Sequence, residues 1–402
     1  MVEYKRSDFV RLVANKDYFR GAPKVDELIF QTYQSQDAMT QDMKSGNLAA
    51  CWNIPEAQFK PLGKVRGVTT VAYTPLSFDQ LCLNCYAGAE SLGHPALRDP
   101  AFRRALAYAV DTQKVVDIVY AGYAMPGTTI IQPNHYKDPD WHWQPPADVA
   151  YTYDPARAKA ALDAAGYKDT NGDGTRDYKG KPITLRLWAL TTYPPSQKAA
   201  KLVAGWFRAI GLGIKLEAVE EATLQERTYD TVGKGADAKL APDFDMFIWG
   251  WNPDIDPNFI LGSFTTSQIG YWSDSAYSNP EYDRLFKEQQ RTIDRQARKL
   301  IIDQMQQIIY RDCPYIVLAY PESLEAYNTD KWTGWVRSPA KTGGVWYLTE
   351  IDQYRFLEPK TGAVTSKSSL GLIVGIVVAA VVVVGAAAWF VVRRRRPSVE
   401  EL

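Results

Sequence analysis

The chain has 402 residues, enough for two or more domains, and its 46 basic and 46 acidic residues cancel to a formal net charge of zero. A neutral chain gives no electrostatic basis for a nucleic-acid partner, so none is expected. The 12 Trp, 24 Tyr and 14 Phe residues indicate a cleft that binds its ligand by stacking and apolar contact.

Patterns of apolar and polar residues divide the part of the chain before Gly166 into short strands and helices separated by turns. Two of the helices begin with an Asp-Pro pair, which is typical of an N-cap and a first helical position. Strands are predicted at 8–13, 28–33, 69–73 and 81–85, and helices at 35–45, 101–110, 112–120 and 155–165.

The segment DTNGDGTRD, residues 169–177, is the best metal candidate in the sequence. Its oxygen-bearing side chains stand at positions 1, 3, 5 and 9 of a calcium-binding EF-hand loop, and Gly174 stands at position 6. The glutamate of position 12 is replaced by Gly180, and the flanks do not read as two long helices. The alternative is an Asp- and Asn-rich turn that needs no metal. No cofactor is required, and the candidate ligands of a structural calcium ion are Asp169, Asn171, Asp173, Thr175 and Asp177.

Strands and helices alternate after this loop, which is typical of an α/β sheet. The predicted order is strand 183–190, helix 196–210, strand 214–219, helix 222–230 and strand 244–249. The last strand is rich in aromatic residues and is expected to end at Trp249, before the sequence GWNPDIDPNF. Because ligands of open α/β sheets bind beyond the carboxyl ends of strands, we expect a binding site at this strand end.

Trp251 and Asp254 are the candidate ligand residues at that strand end. A carboxylate beside an indole suits a ligand that offers an ammonium group and an apolar body. The alternative places Trp249 and Trp251 in the core and assigns Asp254 and Asp256 to the cap of a helix that starts at Pro257. We expect the capping role for Asp256 and the ligand role for Asp254.

The remaining predicted elements are a long helical stretch at 280–311, a buried strand at 314–320 and an aromatic-rich closing segment at 332–346. A polar tether at 357–369 then leads to residues 370–392, which carry no charge.

Residues 370–392 are predicted to form a transmembrane helix, because at about 1.5 Å per residue they span a ~30 Å hydrocarbon core. Four consecutive arginines, residues 393–396, place the following tail in the cytoplasm and the rest of the chain outside it. The N-terminus has no apolar export signal, so we expect that the natural start lies upstream or that an upstream portion is missing.

The four cysteines, Cys51, Cys82, Cys85 and Cys313, could pair outside the cell in three ways, and the sequence does not choose among them. Cys82 and Cys85 have CxxC spacing, but the chain has no second CxxC and only 3 His, so no redox or zinc role is expected.

The chain resembles the extracytoplasmic solute-binding proteins of peptide/nickel-type ABC transporters in motifs that follow one another between residues 4 and 350. They read NKDYFRGAPKVDEL, MKSGNLA, DPAFRRALAYAVDTQKVVDIVYAG, YDPARAKAALDAAGYKDTNGDGTRD, FDMFIWGWNPDIDPNFI, YSNPEYDRLF and CPYIVLAYPESLEAY. In that family the portion before the first motif carries the signal peptide and builds much of lobe I. Here that portion is absent, and the C-terminal anchor departs from the commoner lipid-anchored form.

The resemblance implies an α/β, two-lobed, hinged fold of the periplasmic-binding-protein type, with an incomplete lobe I and one C-terminal transmembrane helix. The implied division is 1–88 for the remaining part of lobe I, 89–322 for lobe II, 323–356 for a return to lobe I, 357–369 for the linker, 370–392 for the helix and 393–402 for the cytoplasmic tail.

The resemblance also implies roles for individual residues. In peptide-binding members the Asp three residues after the Trp of the GW motif pairs with the α-ammonium of the ligand, and these positions are Trp251 and Asp254 here. Dipeptide-binding members carry an Arg-Pro-Tyr near the strand end where this chain has Thr191, Thr192 and Tyr193. Only the tyrosine matches, which favours longer peptides. The candidate ligand-binding residues are therefore Asp254, Trp251 and Tyr193, together with Trp249 from the end of the aromatic strand.

The implied function is therefore capture of a peptide outside the cell and its delivery to ABC permease subunits by a membrane-anchored monomer that is not an enzyme. The chain has no G-x-S-x-G or HExxH motif, which disfavours a hydrolase. Two alternatives stay open, namely an oligosaccharide-binding transport component and a membrane-tethered binding or sensing module without transport.

Overall fold

The computed structural model describes residues 1–133, 141–233, 237–345 and 351–360. The strands are β1 (Glu3–Lys5), β2 (Phe9–Val13), β3 (Glu27–Gln31), β4 (Ala50–Cys51), β5 (Val68–Tyr73), β6 (Phe78–Leu83), β7 (Ala124–Pro126), β8 (Asp177–Tyr178), β9 (Lys181–Pro182), β10 (Thr184–Leu190), β11 (Gly213–Val219), β12 (Thr231–Val232), β13 (Lys239–Leu240), β14 (Met246–Trp251), β15 (Tyr315–Pro321), β16 (Ser323–Asn328), β17 (Trp332–Thr333) and β18 (Glu358–Pro359). The α-helices are α1 (Gln36–Lys44), α2 (Glu56–Leu62), α3 (Pro100–Tyr108), α4 (Thr112–Val119), α5 (Pro155–Ala164), α6 (Pro194–Ala209), α7 (Glu221–Thr228), α8 (Asn258–Gly262), α9 (Pro280–Gln289), α10 (Arg295–Asp312) and α11 (Ile351–Phe356).

A six-stranded sheet with the order β11-β10-β14-β6-β15-β7 forms the centre of the structure. β10 runs parallel to β11 and β14, whereas β6 runs antiparallel to both β14 and β15. The carboxyl ends of β10, β11, β14 and β15 and the start of β6 therefore lie along one edge of the sheet. We call this the carboxyl edge, and it is where ligands of open α/β sheets bind.

The side chains of the central strands alternate between two hydrophobic cores. On β14, Met246 and Ile248 enter a first core shared with α3, α4, α5 and α6. Phe247, Trp249 and Trp251 face a second, aromatic-rich core shared with α8, α9 and α10. The two faces of one strand thus serve different sets of helices, which fixes the register of β14.

A second unit contains the three-stranded sheet β4-β16-β5, the helices α1 and α2, and a separate core that includes Met43, Phe59 and Leu62. The chain crosses between this unit and the central sheet twice, from β5 to β6 and from β15 to β16. The α/β fold class predicted from the sequence is confirmed. The domain boundaries stay predictions, although β6, which falls within the predicted segment 1–88, pairs with strands of the central sheet.

Several predicted elements have different bounds in the structure; for example, the strand predicted at 81–85 is β6 at Phe78–Leu83. β14 continues through Gly250 to Trp251, because both residues pair with β6. The helical stretch predicted at 280–311 is two helices, since the side chain of Asp294 accepts the backbone N–H of Ala297 at 2.8 Å and starts α10. The helix expected to start at Pro257 starts one residue later.

Within the described residues, no helix is both long enough and apolar enough to cross a membrane. The predicted transmembrane segment 370–392, the predicted tail 393–402 and most of the tether 357–369 lie outside the described residues, as does the end of the closing segment at Trp346.

Candidate ligand site

Trp251 ends β14 at the carboxyl edge and is 8% exposed, so it is mainly a core residue. Its Nε1 donates to the hydroxyl of Tyr315 at 3.1 Å, and its ring meets Phe259 edge-on at 5.8 Å between centroids. Trp272, which is 56% exposed, packs on Phe259 at 5.4 Å. The indole of Trp251 therefore lies beneath a partly exposed aromatic surface, fixed in orientation by a hydrogen bond.

Asp274 is a buried carboxylate that holds this aromatic group together, and it was not predicted from the sequence. The side chain is 1% exposed and accepts a hydrogen bond from Nε1 of Trp249 at 3.0 Å. It also accepts a hydrogen bond from the hydroxyl of Tyr315, and that hydroxyl accepts one from Nε1 of Trp251. Burial raises the pKa of Asp274 to about 6, although its hydrogen bonds oppose the shift. One acid thus orients both predicted site tryptophans, one directly and one through a tyrosine.

Asp254 and Asp256 lie in the same loop but have different environments. Asp254 is exposed, and none of the residues that the structure describes hydrogen-bonds its carboxylate. Oδ1 of Asp256 accepts the backbone N–H of Asn258 at 2.9 Å, and Arg298 binds both of its oxygens at 2.7 Å. The N-cap of α8 is Pro257, so the N-cap role predicted for Asp256 is wrong, although the Asp256 carboxylate binds the first residue of the helix. The carboxylate of Asp254 is left available for a ligand.

Tyr193 precedes α6 at the carboxyl edge and packs against the second core. Its hydroxyl donates at 2.8 Å to Oδ2 of Asp79, the second residue of β6, and the hydroxyl of Tyr120 donates to the same oxygen. Asp79 is 4% exposed, and burial raises its pKa to about 6, with the two hydroxyls opposing the shift. Tyr193 is a predicted ligand residue and stays a prediction, whereas Asp79 was not predicted, because only the pairing of β6 with β14 brings it to the carboxyl edge.

The predicted metal loop forms a set of turns closed by its own side chains. Asp169 accepts the backbone N–H groups of Gly172 at 2.7 Å and Gly174 at 2.9 Å, and these bonds hold its pKa below the usual value. Asp173 accepts the N–H of Thr175 at 2.8 Å, and the buried Asp177 accepts that of Thr170 at 2.8 Å. Asn171 accepts the N–H of Asp173 at 2.9 Å.

No group of three or more His, Cys, Asp or Glu side chains in the described part of the chain is arranged to hold a metal ion. The calcium site therefore stays a prediction. The concavity beside the loop, about 630 Å³, is lined by both basic and acidic side chains, and another of about 680 Å³ lies along α9. Neither of these two concavities includes Trp251 or Asp254, so the candidate site rests on the sheet geometry.

All four cysteines are free thiols in the structure. Cys51 lies in the core of the second unit, Cys313 in the first core and Cys82 in the second core. Burial raises the pKa of Cys82 well above its usual value, which keeps that thiol protonated and unreactive.

Comparison with known proteins gives consistent matches. Residues 1–272 match the family model described as bacterial extracellular solute-binding proteins, family 5, middle region. The chain is 28% identical over 353 residues to the oligopeptide-binding protein AppA of Bacillus subtilis, which covers 82% of this chain and 60% of that protein. It is 23% identical over 342 residues to the glutathione-binding protein GsiB of Salmonella paratyphi A, with coverages of 83% and 60%.

Among solved structures, the chain is similar to AppA from Bacillus subtilis in complex with a nonapeptide, with a TM-score of 0.71 and 25% identity. That match covers 89% of this chain and 65% of the other. The chain spans about 60% of the length of the curated relatives that it matches.

Proposed function

The chain belongs to the bacterial extracellular solute-binding proteins of family 5, and we propose that it binds peptides outside the cytoplasm and delivers them to the permease of an ABC importer. Membership in a family of binding proteins agrees with the prediction that the chain is not an enzyme. The oligopeptide is the favoured ligand class, because the name of the relative AppA specifies it and the chain lacks the Arg-Pro of dipeptide-binding members at Thr191 and Thr192.

The observation that carries this proposal is the exposed carboxylate of Asp254 just beyond a strand end whose two indoles are fixed in place. An ammonium group on Asp254 would form a charge-assisted hydrogen bond, and the apolar body of the ligand would lie over the aromatic surface of Trp251, Phe259 and Trp272. Glutathione, which the relative GsiB binds by name, is itself a small peptide and belongs to the same chemical class.

Calorimetry on the full chain tests the ligand class directly. Titration with oligopeptides that have a free amino terminus is expected to give saturable binding, and titration with oligosaccharides is expected to give none. Binding of an oligosaccharide without binding of any peptide would replace the proposed function by the sugar-binding alternative.

We also propose that residues 370–392 anchor the protein, with the binding units outside the cell and the arginine-rich tail in the cytoplasm. Protease added to intact cells is then expected to remove the binding units while an epitope placed after Glu401 stays protected. Lysed cells serve as the control, because there the epitope is also cleaved. Cleavage of the epitope in intact cells with the binding units protected would reverse the topology.

A structural calcium ion in the loop 169–177 is the remaining proposal carried over from the sequence. A calcium concentration ten times the dissociation constant would stabilise the fold by about 1.4 kcal/mol. A chelator should then lower the melting temperature, and Asp173→Ala should abolish that sensitivity. Identical melting curves with and without chelator would leave only the hydrogen-bonded turn.

A further inference from the structure

Asp79 presents an unused carboxylate oxygen at the carboxyl edge. Both tyrosine hydroxyls, from Tyr120 and Tyr193, donate to Oδ2 of Asp79. Among the residues that the structure describes, none donates to Oδ1, although the side chain is more than nine-tenths buried. Oδ1 is also not among the fully buried polar atoms that lack a partner, so this oxygen is the part of the acid that a ligand can reach.

Gly250 leaves room beside that oxygen. It pairs with Asp79 across the β14–β6 ladder, and a Cβ atom at this position would lie 2.4 Å from Oδ1 of Asp79. Any larger residue would displace the carboxylate. The glycine therefore keeps one oxygen of a buried acid free at the edge where ligands of such sheets bind.

A second carboxylate, that of Glu56 in the other unit, acts electrostatically on the Tyr193 hydroxyl that binds Asp79. Glu56 lies in the first turn of α2, beside the three-stranded sheet. Burial raises the pKa of the Tyr193 hydroxyl most, Asp79 raises it further, and the charge of Glu56 also contributes, which places Glu56 near that hydroxyl. In the part of the chain that is described, no basic side chain balances Asp79, whose pKa is shifted only by burial and the two hydroxyls.

We propose that Asp79 binds a second cationic group of the ligand, the side chain of a lysine or arginine residue in the peptide. This inference rests on the proposed function and adds a side-chain preference to it. An ammonium or guanidinium group supplies the donor that Oδ1 lacks and a charge opposite to that of the carboxylate.

The two cation positions are compatible with one peptide. Gly250 lies opposite Asp79, and Asp254 is four residues further along, so the two Cα atoms at 250 and 254 are at most about 14 Å apart. Trp249 and Trp251 face the second core, so Gly250 between them lies on the face of the first core. A side-chain cation on Asp79 would therefore lie on the face of the strand end that is opposite to the two indoles.

Pairs of peptides that differ only in one cationic side chain test whether Asp79 binds that cation or acts only by holding Tyr193 in place. The probes are Lys-Ala-Ala-Ala, Ala-Lys-Ala-Ala and Ala-Ala-Lys-Ala, each with a twin in which norleucine replaces lysine, titrated into the full chain by calorimetry. At least one lysine peptide is expected to bind about tenfold more tightly than its norleucine twin. Asp79→Asn, which keeps an oxygen for the two tyrosine hydroxyls, should remove this preference, so the ratio of the affinities for the lysine peptide and its norleucine twin should fall to about one.

Two further variants keep the test decisive if Asp79→Asn does not fold. Gly250→Ala should reduce the preference for lysine by displacing the Asp79 carboxylate. Glu56→Gln, at the start of α2, should also reduce it by removing a negative charge that acts on the same cluster of side chains. Asp254→Asn should weaken the binding of both twins equally and leave the preference for lysine intact.

Equal affinity of the wild type for each lysine peptide and its twin, or a preference that persists in Asp79→Asn, overturns the inference alone. Binding of no peptide at all overturns the proposed function together with it.

Discussion

Replacing Asp254 with asparagine is expected to weaken the binding of a peptide with a free amino terminus by about ten- to a hundredfold. The carboxylate is exposed and has no hydrogen-bond partner among the described residues, so in the free protein it is available to a ligand. A charge-assisted hydrogen bond to an ammonium group is worth roughly 1.5–3 kcal/mol, which is the origin of the expected factor. The measurement is the dissociation constant by calorimetry for the wild type and the variant.

Two controls accompany this measurement. The same peptide after N-acetylation is the control ligand, because it lacks the ammonium group, and Asp256→Asn is the control variant, because it removes a charge from the same loop. The acetylated peptide should bind poorly to the wild type, and its affinity should fall little further in the Asp254→Asn variant. Asp256→Asn removes one charge from the same loop, but that residue is already bound to Arg298 and to the start of α8, so ligand affinity should change little. Equal losses for the free and acetylated peptides on Asp254→Asn would rule out the ammonium contact.

The α/β class and the aromatic strand that leads to the candidate site could be predicted because both depend on local sequence patterns. Alternating strands and helices predict the sheet, and the run of aromatic residues ending in GWNPD marks a strand end. Asp294 was not recognised as the N-cap that begins α10, so α9 and α10 were merged into one helix. The end of β14 was placed too early because Gly250 reads as a break, although in the sheet its lack of a side chain leaves room for Asp79.

The two buried acids could not be found from local patterns. Asp79 lies 171 residues before Gly250 in the numbering, and only the pairing of β6 with β14 brings them together. Asp274 follows an exposed tryptophan in a segment without strong periodicity, and its function depends on Trp249 and Tyr315, which belong to different strands. A buried carboxylate with aromatic hydrogen-bond donors is a tertiary feature, so the residue type alone gives no signal.

Asp274 should make the stability of the fold depend on pH in a direction opposite to that of an ion-paired acid. Its pKa is raised from 3.8 to about 6 in the folded protein, mainly by burial. Below about pH 3.8 the group is protonated in both the folded and the unfolded chain and costs nothing. As the pH rises towards 6, the unfolded chain ionises first, so the folded state loses stability, by about 3 kcal/mol once both states are charged.

Asp274→Asn removes this dependence, because an amide does not titrate while its oxygen still accepts one donor. In urea unfolding at about pH 4 and pH 7, the free energy of unfolding of the variant relative to the wild type should therefore rise by about 2 kcal/mol between the two conditions, because at pH 4 the unfolded aspartate is already partly ionised. Asp254→Asn is the matched control for the loss of one carboxylate, since that side chain is exposed. A difference between Asp274→Asn and the wild type that stays constant with pH would show that Asp274 ionises equally easily in both states. In that case burial would not raise the pKa of Asp274. The hydrogen bonds from Trp249 and Tyr315 would then fully offset the free energy that the carboxylate loses when folding removes it from water.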